Sequence, residues 1–330
     1  MIDFAGCLGS PMMIRQAILP AAEAALSPMR RMMLLVLAIL TLATLGVDAL
    51  ARRTGVRADV IRPKVHAWWP MAGLCFLAAT SGAGVSCVLM GLLCYLALKE
   101  YFTLIPTTAA DRGALLLAYM TIPVQFYWIW SGWFVMAMVF IPVYTSLILP
   151  ARQILEEETE EFASRTGRIL WGVLLFVYFL SHLALLVMLG RVPGTEIGGR
   201  ELLIYLVFLT EVNDVGAYLT GNALGKHRIA PRVSPNKTWE GVLGGLVTAV
   251  ISAVLLRFLT PFSIGRAALA GLCISMAGCV GDLCVSAVKR DVGVKDASKF
   301  IPGHGGILDR IDSLTYTAPL FFHCVRYLYF

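Results

Sequence analysis

Residues 71–98 carry no charged side chain. That run exceeds the ~20 residues an untilted helix needs to cross a bilayer. In lipid the backbone must satisfy its own hydrogen bonds, so the stretch has to be helical. Ser81 and Gly82 fall within it and predict a break into two shorter helices. Further apolar runs occupy 33–50, 169–189, 201–220, 242–259, 267–283 and 314–330, and 113–149 holds two more with a turn near 130–132. The expectation is an all-α polytopic integral membrane protein with nine or ten transmembrane helices. Hydrophobic residues make up 58% of the chain and charged ones 15%, against about a quarter charged in soluble domains. No soluble segment is long enough to build its own core.

The charges that remain are grouped. If the chain breaks at Ser81, the loops at 52–66, 99–112, 150–168, 223–240 and 284–312 share one face and hold nineteen of the 27 Lys and Arg. The richer face is expected to be cytoplasmic. The net charge of +6 fits contact with anionic lipid. It does not point to nucleic acid, because no basic run with interleaved aromatics is present. Three regions follow: an extension at 1–32, transmembrane helices at 33–200, and a catalytic region at 201–330. Residues 1–30 lack the pattern of a signal peptide, and the recurring methionines suggest a natural start downstream of Met1. The acidic stretch 151–168 reads as a solvated interfacial helix. His182 and the eight cysteines read as packing groups, since no Cys-x-x-Cys pair occurs.

Residues 286–312, SAVKRDVGVKDASKFIPGHGGILDRID, are the most charged part of the chain beside apolar runs. Such a concentration in a membrane protein marks chemistry. Gly303, Gly305 and Gly306 surround His304 just before a helix beginning near Ile307. Converging amides at a helix N-terminus make an anion site. Asp309 and Asp312 are three apart and share a helix face. Carboxylates so placed suit Mg²⁺, which binds one or two of them together with phosphate oxygens. Lys289, Arg290 and Lys295 would offset the remaining phosphate charge. Upstream, Glu211 and Asp214 share a face of an apolar span, and such residues face a bundle interior or an aqueous cavity. Residues 221–241 bring Lys226, His227, Arg228, Arg232 and Lys237 together, with Ser234, Lys237 and Thr238 on a proline-fixed turn able to hold a triphosphate. No P-loop is present. Two crossings between the loops put 221–241 and 284–312 on the same side.

Ser286-x-x-Lys289-Arg290, Lys295-Asp296, then Pro302-Gly303-His304-Gly305-Gly306 and Asp309-Arg310-x-Asp312 resemble the signature of the phosphatidate cytidylyltransferases, or CDP-diacylglycerol synthases. Ser234-Pro235-x-Lys237-Thr238, and Asp214 with Gly216-Ala217-Tyr218, match further family elements. The resemblance runs from about residue 202 to the C-terminus; the first half is similar only as a set of hydrophobic spans. It departs at Ala297-Ser298-Lys299, where relatives often carry glycine, and at Asn236.

The resemblance implies transfer of CMP from CTP to phosphatidic acid, giving CDP-diacylglycerol and pyrophosphate. It implies Asp282, Asp309, Asp312 and Asp214 as ligands of two Mg²⁺ ions. Lys226, Ser234, Lys237, Thr238 and Lys295 would bind substrate. Lys289, Arg290 and Arg310 would bind lipid phosphate or stabilise pyrophosphate, and His304 would orient a phosphate. The expected partners are CTP, phosphatidic acid, membrane lipids and a second copy of the chain. The expected location is a bacterial inner membrane with the active site on the cytoplasmic side. Two other readings stand beside it: a CTP-dependent enzyme acting on another lipid (polyprenyl) phosphate or alcohol, and a membrane transporter.

Overall fold

A computed structural model describes residues 27–54, 58–294, 297–298 and 305–330. Its described residues form ten helices and one small hairpin. In chain order they are α1 (Pro28–Thr54), α2 (Ala58–Thr80), α3 (Ala83–Leu104), α4 (Arg112–Trp130), α5 (Phe134–Ile154), α6 (Phe162–Met188), α7 (Gly199–Leu224), β1 (Arg228–Ala230), β2 (Ser234–Thr238), α8 (Trp239–Leu255), α9 (Ile264–Asp291) and α10 (Leu308–Tyr329). Seven of the ten, α1, α3, α4 (from Ala109), α5, α6, α7 and α9, are long and apolar enough to cross a membrane. Breaks fall where the sequence placed them at Ser81–Gly82 and at 131–133. Prolines inside α2, α4, α5 and α10 do not end those helices, as is tolerated where neighbouring helices re-satisfy the backbone.

α6 is the central rod. Most of its span is buried, against α3, α4, α7 and α10. α1 lies at the periphery and presents Leu34, Leu37, Leu42 and Leu45 outward, the surface lipid would cover. The C-terminal helices pack most closely, α7 on α8, α8 on α9 and α9 on α10. Small residues allow the approach. A Cβ on Gly245 of α8 would lie 2.8 Å from the Asn213 carbonyl oxygen of α7, and one on Gly281 of α9 would lie 2.6 Å from the Asp312 carbonyl oxygen of α10.

Hydrogen bonds gather the charged loops at one end of the bundle. Arg165 donates to Asp111 at 2.9 Å in a buried ion pair that Gln153 and Thr166 extend. Tyr101 donates its hydroxyl to the Arg168 carbonyl at 2.8 Å. The expected interfacial helix at 151–168 is therefore not formed. α5 runs to Ile154, residues 155–161 make an exposed turn, and α6 begins at Phe162. Arg165 is inside the bundle because Asp111 is there to pair with it. Helices also extend beyond their apolar runs. α1 starts at Pro28, within the segment assigned to an N-terminal extension, and α9 continues through Asp291. The expectation about the natural start falls outside the described residues. Among the described residues the cysteines are free. His182 is buried, its Nδ1 bonded to main-chain carbonyls and its Nε2 without a partner.

Candidate active site

Continuation of α9 to Asp291 decides how the signature is displayed. Residues 284–291, expected to open a loop, are helical, and Asp282, Ser286 and Lys289 are spaced by four and three, on one face of α9. Ser286 donates to Asp282 Oδ1 at 3.1 Å. Asp282 Oδ2 receives Lys237 Nζ at 2.6 Å, so one ion pair joins the two polar regions of the sequence. Lys237 also donates to the Cys279 carbonyl at 3.3 Å. Burial depresses the pKa of the Lys237 ammonium, but the Asp282 carboxylate and Asp214 more than reverse that, and the net shift is upward.

Between α7 and α8, residues 228–238 form a small antiparallel hairpin rather than a proline-fixed turn, with Arg228 opposite Thr238 and Ala230 opposite Ser234. Its base is tied by Glu240, whose carboxylate accepts the amides of Lys226 and His227 and the His227 ring Nδ1, the last at 2.6 Å. Its tip is tied to α9, where Arg290 Nε donates to the Val233 carbonyl at 3.1 Å. Thr238, expected to bind substrate, is the buried N-cap of α8 and accepts the Gly241 amide at 3.1 Å. Lys226 and its neighbours are exposed, and Ser234 is half-buried.

Three carboxylates, Asp214 of α7, Asp282 of α9 and Asp312 of α10, lie within electrostatic reach of one another. Asp214 accepts from Ser313 Oγ at 2.9 Å and from Asn213 at 3.1 Å. Asn213 in turn accepts from Ser275 at 2.6 Å. Asp312 lies within electrostatic reach of both Asp282 and Asp214. Lys237 bonds to this group through Asp282, and Lys289 lies within electrostatic reach of Asp312. A donor set of this chemistry fits a hard divalent cation. The carboxylates are not, as arranged, a closed cage: among the described residues no group of three His, Cys, Asp or Glu is placed to enclose a metal ion.

Asp309 is not part of that group. Its Oδ1 takes Lys289 Nζ at 2.6 Å in a buried pair, and its Oδ2 accepts the amides of Gly306 at 2.9 Å and Ala297 at 3.2 Å. Both oxygens are engaged, and in this arrangement Asp309 ties α9 to the start of α10. Lys289 is accordingly paired with Asp309. Arg290 is likewise bonded to the carbonyls of Val233 and Val294. Arg310 is half-buried near Glu211, and its Nε has no partner.

The described amides that follow the glycine turn are taken by carboxylates of the protein itself, Gly306 by Asp309 and the next two by Glu100. Glu100, at the far end of α3, accepts the amides of Ile307 at 2.7 Å and Leu308 at 3.1 Å. Gly305 has φ +80, in the left-handed region that favours glycine. Side chains at Gly305 and Gly306 would collide with Asp309 and Glu100 respectively. Lys295 and His304 lie outside the described residues. Sequence reasoning missed Glu100 and Ser313. Glu100 stood beside Lys99 as an ordinary loop flank, and the signal available was a carboxylate at the end of an otherwise uncharged span.

The sequence compares with known proteins in the same region and beyond it. The Cytidylyltransferase family matches residues 63–328. An uncharacterized Escherichia coli protein, YnbB, is 41% identical over 294 residues, covering 88% of this chain and 96% of its own. A phosphatidate cytidylyltransferase of Haemophilus influenzae is 46% identical over 138 residues, 40% of this chain and 46% of its own. One from Staphylococcus haemolyticus is 40% identical over 129 residues, 38% of this chain and 50% of its own. The chain thus spans about half the length of the phosphatidate cytidylyltransferases it matches. A polytopic helical bundle, one carboxylate-rich end where Lys237 meets Asp282, and a match over most of its length together make this chain a member of the cytidylyltransferase family, a nucleotidyltransferase.

Proposed function

We propose that this protein transfers the CMP moiety of CTP to phosphatidic acid, releasing pyrophosphate and forming CDP-diacylglycerol, at the cytoplasmic face of a bacterial inner membrane. The observation that carries the reading is the Lys237–Asp282 pair at 2.6 Å. It brings the basic hairpin, suited to a triphosphate, onto the carboxylates of α7, α9 and α10. Family membership sets aside the transport reading.

In this reaction a lipid phosphate oxygen attacks the α-phosphorus of CTP. The new P–O bond forms as the bond from the α-phosphorus to the bridging oxygen of pyrophosphate breaks. Phosphatidate is already ionised near neutral pH, so no general base is needed. Two anions must approach, and catalysis rests on positioning and charge neutralisation. Lys237 is placed to meet the triphosphate once its hold on Asp282 is exchanged for phosphate oxygens. The exposed Lys226, Arg228 and Arg232 surround the entry with positive charge. Arg310, whose buried Nε has no partner in the protein, is the candidate for the lipid phosphate or the leaving group. Mg²⁺ held by Asp214, Asp282 and Asp312 would supply charge neutralisation between the phosphates.

The test is turnover by the purified protein in detergent with CTP, phosphatidic acid and Mg²⁺, following pyrophosphate and CDP-lipid together. Equal formation of both, lost on chelation and in Asp282→Asn, is expected. Products with a polyprenyl phosphate and none with phosphatidic acid would keep the chemistry and overturn the substrate. Absence of product with every lipid acceptor, from folded protein, would overturn the reading.

A further inference from the structure

The first half of the chain contributes a carboxylate to the start of α10. Glu100 is 9% exposed, about two turns past the middle of the apolar helix α3. Its Oε2 takes the amides of Ile307, the N-cap, and Leu308, the first residue of α10, which no carbonyl of that helix can satisfy. A negative acceptor there also meets the positive end of the helix dipole. Its Oε1 is buried without a partner, and Gly306 packs against it so closely that a methyl group would overlap it. The adjacent Tyr101 is fixed on the other flank, its hydroxyl on the Arg168 carbonyl of α6 at 2.8 Å. The end of α3 is thus anchored to α6 and α10 at once.

Removing a carboxylate from water is costly, and a serine or aspartate preceding α10 would cap it locally. What a remote glutamate adds is a fixed distance between α3 and the helix that carries Arg310 and Asp312. We propose that Glu100 is a positioning residue for nucleotidyl transfer: it clamps the start of α10 so that Asp312 stays opposite Asp282 and Asp214. This inference rests on the function proposed above. Glu100 itself touches no reacting group.

The experiment compares Glu100→Gln, Gly306→Ala and the double variant with wild type. Glutamine keeps the shape and a neutral acceptor but loses the charge. Misplacing a reacting group by about 1 Å costs ~10²-fold in rate, and a kcat loss approaching that is expected in Glu100→Gln. Its KM for CTP should stay within about threefold, since no contact to nucleotide is altered. Hydrogen exchange over residues 305–312 should quicken while the fraction of folded protein stays near wild type. The two substitutions act on one contact, so the double variant should fall little below the worse single one. Wild-type kcat in Glu100→Gln, or independent multiplying losses in the double variant, would overturn the inference. So would a kcat loss matched by an equal loss of folded protein, which marks Glu100 as merely structural. A wild-type chain that forms no CDP-lipid would instead remove the functional reading, and this inference with it.

Discussion

Replacing Asp309 with asparagine removes one charge from a pair whose side chains are only 9–10% exposed. Breaking a buried ion pair by deleting one partner costs about 3–5 kcal/mol. The local geometry puts this substitution at the upper end. Asp309 Oδ1 faces the Lys289 ammonium and Oδ2 faces two amides. An asparagine has one acceptor oxygen, so whichever way it turns, its NH₂ group opposes a donor. Lys289→Met also leaves a buried charge unpaired, but Asp309 keeps both amides, so its cost belongs at the lower end of that range, about 3 kcal/mol. Asp309→Asn should therefore melt below Lys289→Met. Adding Lys289→Met to Asp309→Asn should raise the melting temperature again, since the unpaired ammonium is gone. The assay is thermal unfolding in detergent, followed by loss of monodisperse protein. A metal-ligand role for Asp309 predicts the reverse, turnover abolished in a protein as stable as wild type. That result, or a double variant carrying the sum of both losses, would refute the reasoning.

Two further predictions concern the charged end. Lys237 has a pKa raised by Asp282, so the pair stabilises fully below the ordinary lysine value of about 10.4 and is lost as pH rises through the higher folded value; the stability gap between wild type and Lys237→Met should close in alkaline melts, and a gap independent of pH would remove the ion pair as its cause. Single cysteines at Arg228 and Glu158, in a cysteine-free background, should label from one side of the membrane and a cysteine at Gly194 from the other; opposite accessibility of Arg228 and Glu158 would overturn the gathering of these loops.

Much of the architecture was legible because lipid leaves few options. An uncharged run must become a helix, so the all-α architecture and the breaks at Ser81–Gly82 and near 131–133 follow from hydrophobicity and the residues that interrupt it. Where helices end was less legible. α9 carries Ser286 and Lys289 beyond its apolar run, where Asp282 and Asp309 are their partners. The stretch 151–168 looked solvated because its charges were read without Asp111, which buries one of them.

The sequence by itself determined the class of molecule, the family and the residues that carry charge to one end, because these depend on composition and on spacing within a few residues. Tertiary structure decided what each carboxylate does. Asp309 and Asp312 are equivalent by spacing, yet one faces Lys289 and two amides while the other faces Asp282 and Asp214. Glu100 reaches an amide 207 residues away. Helical periodicity relates neighbours three or four apart; which distant groups meet is set by how the helices pack, and at this end packing assigns the charges their partners.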